Sequence, residues 1–213
     1  MKPHIILNCA ASADGKIALP NRQKLDLSNS EDFSRVHQLR SECDAILVGI
    51  GTVIEDNPSL TINHKYSSGN DPLRIILDTN YRIPEDSKIL SEDNNTVIAI
   101  GEHTDDRNLP NVEIFRCGKD EINLQKLINH LGGKGIKKIL VEGGETVIWS
   151  FLEKELFDEL NIFISNIIIG GKETPTIAGG KGYANAENTL KLKLDNIEKL
   201  GDGILIKYSK RKN

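Results

Sequence analysis

The sequence predicts an α/β fold with a largely parallel sheet. Short, β-branched apolar runs bounded by turn residues recur along the chain, and helical patterns lie between most of them. Strand, helix, strand, repeated in that order, is the pattern of parallel strands joined by crossovers. The chain closes differently. Its last two apolar runs follow each other with no helix between, which predicts antiparallel strands at the sheet edge.

The runs that read as buried strands are residues 4–9, 45–50, 73–77, 96–100, 112–115, 138–141 and 160–169. Three helices are expected among them. The first covers 31–41 after the candidate caps Asn29 and Ser30, with Arg40 in its last turn, where a cation complements the helix dipole. The second covers 124–131 after Asn123, and the third 146–156 after a Gly-Gly turn. Residues 60–72, with Asn63, Ser67, Ser68, Gly69 and Asn70, read as a surface excursion. The closing antiparallel pair is expected at 189–194 and 203–208, and no internal repeat or low-complexity tract interrupts the chain.

With 213 residues the chain can bury one substantial core and is short for two, so a single domain over 1–213 is expected. The formal charge of −4 gives no general field for nucleic acid, and a small anionic ligand fits better. Cys9, Cys43 and Cys117 are widely spaced and form no CxxC pair, which argues against a disulfide framework or cysteine zinc site and for the reduced cytoplasm. The short run Ile5-Ile6-Leu7 is no signal-peptide core, and no later run reaches membrane-spanning length. The five histidines lack the spacing of a helical metal motif, so no metal is expected, and no G-x-S-x-G is present.

Several constellations invite chemistry. Lys138 to Val141 reads as a strand that passes through Glu142-Gly143-Gly144 into a helix opened by Glu145 and Thr146. Backbone amides at such a turn face an anion, helped by the positive end of the helix dipole. The same glycines also serve a tight turn alone. Glu142 is either solvated surface or an acceptor for a substrate hydroxyl. Val48-Gly49-Ile50-Gly51-Thr52-Val53 is a second strand-to-helix turn, yet Ile54 stands where a dinucleotide fingerprint needs its third glycine. Thr52 and Asp56 would share one helical face, unless Thr52 is an N-cap and Asp56 ends a surface turn. Asp14-Gly15-Lys16 is a turn that places Lys16 for a phosphate or carbonyl, and Asp78 closes a strand, where an acid meets a ribose or caps a turn. Asp56 and Glu142 are both expected at the carboxyl ends of neighbouring strands.

Taken together these pieces resemble the riboflavin-biosynthesis pyrimidine reductases, whose fold is like that of dihydrofolate reductase. The resemblance spans nearly the whole chain. It rests on Ser12 to Ala18, Arg35-Val36-His37 through Arg40, Val48 to Val53, Asp56-Asn57-Pro58 with Leu60-Thr61, and Pro72 to Asp78. It continues through Val141-Glu142-Gly143-Gly144, Phe157 to Leu160 and Gly170-Gly171-Lys172. The H-x-E…P-C-x-x-C signature of the two-domain bacterial relatives is missing, so the chain resembles the free-standing reductases. Where bacterial forms place an arginine after Leu-Thr, this chain has Ile62-Asn63-His64-Lys65, with His64 or Lys65 as substitutes.

The resemblance implies reduction of 2,5-diamino-6-ribosylamino-4(3H)-pyrimidinone 5′-phosphate at C1′ of the opened ribose, with NADPH, or alternatively NADH, as donor. It implies a cofactor lining of Thr52, Asp56, Asp78, Thr79, Asn80, Tyr81, Gly143, Gly144, Glu145 and Thr146. Substrate contacts fall to Lys16, Arg40, Leu60 and Glu142, and the chemistry to Asp56, Glu142 and Lys16. It also implies a homodimer. Two alternatives stand beside it: a dihydrofolate reductase, which needs an acid in a helix such as Glu31 or Asp32, and a non-catalytic nucleotide sensor.

Overall fold

The structure is a computed structural model and describes residues 1–23, 25–90, 95–105 and 107–211. In chain order its elements are β1 (His4–Ala11), α1 (Ser30–Ser41), β2 (Ala45–Gly49), α2 (Ile50–Asp56), β3 (Leu73–Leu77), β4 (Thr96–Ile100) and β5 (Glu113–Arg116). Then come α3 (Leu124–Gly133), β6 (Lys138–Val141), α4 (Glu145–Glu153), β7 (Glu159–Ile164), a 3₁₀ turn (Ala186–Asn188), β8 (Leu192–Leu200) and β9 (Gly203–Lys210). The chain groups into two compact units, one of Met1–His4 and His37–Leu140, the other of Ile5–Val36 and Val141–Asn213.

In the first unit the strands lie in the order β5-β4-β3-β2-β6, and β2/β3, β3/β4 and β4/β5 are parallel. Ala45, Ile46, Leu47 and Val48 are all fully buried. A continuous apolar run is what a parallel strand needs when both its faces are covered. Helix α3 buries Leu124, Leu127, Ile128 and Leu131, one stripe at i, i+3, i+4 and i+7. Its cap is Asn123, whose side chain accepts from the Lys126 amide.

In the second unit the order is β1-β7-β9-β8; β1/β7 is parallel, whereas β7/β9 and β8/β9 are antiparallel. The antiparallel ending is therefore as expected. Asn29 caps α1, its Oδ1 accepting from the amides of Glu31 and Asp32. Helix α4 turns Val147, Ile148, Phe151 and Leu152 inward.

Several boundaries differ from expectation by one to a few residues, and four of the differences have a readable cause or consequence. Ile50 opens α2 instead of ending β2. The run expected over 160–169 leaves the strand after Ile164, because Ile167 and Ile169 bond the 12–16 turn: the Ala13 amide donates to the Ile167 carbonyl and the Ile169 amide to Asp14. Strand β8 reaches Leu200 instead of stopping at 194, since its charged stretch pairs with β9 across an exposed edge. Helix α4 ends at Glu153, and Glu155 follows with φ +50. The 60–72 excursion is also anchored: Leu60 and Ile62 are buried, and the Asn63 amide donates to His37 Nδ1 at 3.1 Å.

Candidate active site

In the second unit Glu142, half-buried, directly follows the last residue of β6 and leads into the Gly143-Gly144 turn. Gly143 has φ +103 and is joined to Gly144 by a cis peptide bond. A Cβ there would lie 3.6 Å from the Ile148 side chain, so conformation rather than space requires glycine. Gly144 is the N-cap of α4, with ordinary φ −62 and no side-chain cap. The first-turn amides, those of Glu145 and Thr146 included, have no intrahelical acceptor, and the dipole's positive end favours an anion there.

Glu145 opens this helix, but its carboxylate is engaged elsewhere. Oε2 accepts the Thr176 amide at 3.0 Å and Oε1 meets Arg22 Nη2 at 3.3 Å, with the side chain 18% exposed. What Glu145 offers at the turn is its amide. Lys16 is held by its own turn: its amide donates to Ser12 Oγ at 2.9 Å, its carbonyl accepts the Ser12 amide at 2.8 Å, and it pairs as an isolated antiparallel bridge with Thr176. Asp14 braces the same turn. The Ser12 hydroxyl, and then the Ile169 and Gly170 amides, hold its carboxyl down to about 2.

Asp32, one of the two helix acids weighed for a pteridine, is fully buried with both its carboxylate oxygens engaged. Its oxygens accept from Ser28 Oγ at 2.6 Å and Arg35 Nε at 2.8 Å, while Arg35 also donates to Asn8 Oδ1. Glu31 is exposed. Burial pushes the Cys9 thiol up to about 12, with Arg35 opposing and Asp32 reinforcing.

In the first unit, Gly49 is the N-cap of α2, so Thr52 sits inside the helix rather than capping it, on the face it shares with Asp56. Asp56 is the last residue of that helix and exposed, about 10 Å of helix rise beyond β2. The expectation that it ends a strand is thus corrected; Glu142 does directly follow β6. Asn57 terminates α2 in the left-handed region, its Oδ1 accepting the Lys88 amide at 2.8 Å. That turn leads to Leu60, buried with φ +52, and Arg40 donates to the neighbouring Thr61 carbonyl at 3.4 Å. Arg40 and Leu60 are therefore brought together. His64 and Lys65 are exposed, with Lys65 Nζ 5.2 Å from the Tyr66 ring centroid.

After β3, Asp78 is fully buried and caps a turn: Oδ2 accepts the Ile83 amide at 2.8 Å, and its carbonyl accepts the Tyr81 amide. Oδ1 makes no hydrogen bond and lies 3.8 Å from Arg82 Nε. Tyr81 is buried too, its hydroxyl donating to the Arg107 carbonyl while the Arg107 guanidinium returns a bond to the Tyr81 carbonyl at 2.6 Å. Thr79 is half-buried and Asn80 and Arg82 are exposed, so these members of the turn have accessible side chains. Arg22, Thr176 and Arg107 were not singled out by the sequence, and Arg35 entered only as part of the resemblance. The partners of the first three are remote along the chain, and the Gly179-Gly180 pair near Thr176 is the local sign of a close approach.

Among the described residues no helix is long and apolar enough to cross a membrane. The model of the RibD C-terminal domain matches residues 3–206. The chain is 34% identical over 214 residues to the 2,5-diamino-6-ribosylamino-4(3H)-pyrimidinone 5′-phosphate reductase of Methanothermobacter thermautotrophicus, covering 98% of this chain and 99% of that protein. It is also 34% identical over 218 residues to the protein of the same name in Archaeoglobus fulgidus, covering 97% of each. Among solved structures, the deaminase/reductase of Thermotoga maritima superposes with a TM-score of 0.80 at 28% identity, over 99% of this chain and 57% of that one. On this match along almost its whole length, the chain belongs to the RibD C-terminal domain family.

Proposed function

We propose that the protein reduces the ribosyl group of 2,5-diamino-6-ribosylamino-4(3H)-pyrimidinone 5′-phosphate to the ribitylamino product, in riboflavin biosynthesis and with NADPH as donor. The observation that carries this reading is the end-to-end likeness to two reductases of that name, neither of which extends far beyond this chain. The family match running from residue 3 to 206 supports one reductase domain. The saturated Asp32 speaks against dihydrofolate as substrate.

A nicotinamide cofactor, when bound, supplies hydride. The uncapped first turn of α4 after Gly143-Gly144 fits its diphosphate, with Glu145 and Thr146 contributing amides. Thr52, Asp56, Asp78, Thr79, Asn80 and Tyr81 complete the cofactor set of this reading, Thr79 and Asn80 through side chains and the buried Asp78 and Tyr81 by holding the turn. Arg40, Leu60, Lys16 and Glu142 take the substrate. Lys16 brings ammonium donors to phosphate or ring oxygen, and Glu142 and Asp56 bring acceptors for ribose hydroxyls. Positioning of C1′ is the chain's main contribution. Purified protein should oxidise NADPH with the pyrimidine phosphate and leave dihydrofolate untouched; the reverse selectivity would overturn the assignment.

A cytoplasmic setting belongs to the same reading, supported by three buried cysteines, none in a disulfide. So does a homodimer. On the β8–β9 hairpin Leu194, Ile197 and Ile204 are 51%, 59% and 44% exposed. The register sets Leu194 opposite Tyr208 and Ile197 opposite Ile206, with Ile162 and Ile164 of β7 continuing the face. A contiguous exposed apolar face of this kind marks an association surface. The patch is identical on a second copy, hence self-complementary about a two-fold axis. Ile197→Lys should halve the mass seen by light scattering, and an unchanged mass would remove this face from the interface.

A further inference from the structure

In the second unit, residues 12–23 and residues 170–183 converge on the first turn of α4, and Glu145 is the junction. Its Oε2 accepts the Thr176 amide, its Oε1 pairs with Arg22, and its carbonyl accepts the Gly179 amide at 3.3 Å. The approach is close enough to exclude side chains: a Cβ on Gly179 would lie 2.3 Å from Glu145 Oε2, and one on Gly180 2.3 Å from Trp149 Cδ1. Trp149 is also met edge-on by Tyr183, with centroids 5.0 Å apart. The segment so held passes its order to Lys16. Thr176 forms the antiparallel bridge with Lys16, and the Ile17 amide donates to the Pro175 carbonyl at 3.0 Å.

We propose that Glu145 is a positioning residue: its carboxylate pins residues 175–180 across the first turn of α4 and, through them, sets the backbone that carries Lys16. One side chain then fixes the substrate cation and the anion-binding turn in a common frame. A carboxylate suits the place, being favoured by the positive end of the helix dipole and accepting an amide and a guanidinium at once. The inference rests on the reading that Lys16 meets substrate and that the Gly143-Gly144 turn meets cofactor.

The test pairs kinetics with amide hydrogen exchange on Glu145→Ala, Glu145→Gln, Lys16→Ala and the Glu145→Ala/Lys16→Ala double variant. Glu145→Ala should raise the KM for the pyrimidine phosphate roughly tenfold, as expected for one lost hydrogen bond to a charged acceptor. Glu145→Gln, which keeps an oxygen for the Thr176 amide, should recover most of that loss. In the Lys16→Ala background the Glu145→Ala effect on this KM should vanish, because residues that act through one hydrogen-bonded network are not additive. Exchange should quicken in Glu145→Ala at Thr176 and Gly179 and also at Ile17, whose amide is bonded to Pro175 rather than to Glu145. Unaltered protection at Ile17, or independent multiplication of the two KM effects, overturns the proposal. Absence of turnover by the unmodified protein would instead sink the functional reading, and the exchange result would still decide this one.

Discussion

The turns after β3 and β6 both leave a buried strand, yet they dispose of their polar groups in opposite ways. After β3 the chain closes on itself: Asp78 takes the Ile83 amide, Thr79 accepts the Gly101 amide and the Thr104 hydroxyl, and Tyr81 exchanges bonds with Arg107. After β6 the glycines supply no side chain, α4 starts uncapped, and Glu145, the helix's first carboxylate, is drawn off to Thr176 and Arg22. A saturated turn stabilises; an unsaturated one at a helix N-terminus has spare capacity for a ligand. The difference separates structural from ligand-facing candidates more sharply than residue type does.

The largest effect that would break this comparison is on the open turn. Gly144→Val should lower kcat/KM at limiting cofactor by roughly a hundredfold, about 2.7 kcal/mol, because a branched side chain occupies the anion's approach. Its φ of −62 suits any residue, so the unfolding free energy should hold. Gly143→Ala, at φ +103, should instead destabilise by about 1–2 kcal/mol. If Gly144→Val binds NADPH normally while folded, the open turn is merely a turn.

Next come the carboxylates of the substrate reading. Glu142→Gln should cost roughly thirtyfold in kcat/KM, the equivalent of about 2 kcal/mol for a charged hydrogen bond. Asp56→Asn should cost less, since Asp56 is exposed at the end of α2. Equal losses would return Asp56 to the chemistry on the same footing as Glu142.

The closed turn should respond in stability. Asp78→Ala orphans the buried Ile83 amide and should cost about 1–3 kcal/mol of unfolding free energy in denaturant titrations. A stable variant with altered cofactor selectivity would show that Asp78 Oδ1, which makes no hydrogen bond, faces ligand.

Legibility followed the same division. The strands at 73–77, 96–100 and 138–141 were readable to the residue, because a strand covered on both faces is an almost continuous apolar run, broken here only by Arg74, Thr96 and Lys138 respectively. Strand β8 was readable only in part. Seven of its nine residues are exposed with charges among them, and what makes it a strand is β9. The Gly-Gly turn was visible from composition and spacing alone. Glu145's attachment was not, since Thr176 lies 31 residues away and no local pattern announces a backbone amide as partner. Nor did the sequence distinguish Asp32 from Glu31, neighbours in one helix of which only the first meets Ser28 and Arg35.

The smallest expected effect concerns the Lys16 turn, a third case in which a saturated acid holds the backbone for a ligand-facing cation. Asp14 is pulled from 3.8 to about 2 by the Ser12 hydroxyl and the Ile169 and Gly170 amides. The folded value lies below the unfolded one, so the folded state favours the ionised form. That contribution is complete above pH 3.8 and disappears as the pH falls through about 2. Asp14 is solvent-exposed, so the contribution is modest and screened by salt. Asp14→Asn keeps an oxygen for the amides and cannot ionise. Its stability should fall less steeply than the parent's across that acid window and match the parent's slope from pH 5 upward. Parallel curves throughout would mean that the unfolded chain holds Asp14 equally well and that the carboxylate's charge does not brace the Lys16 turn.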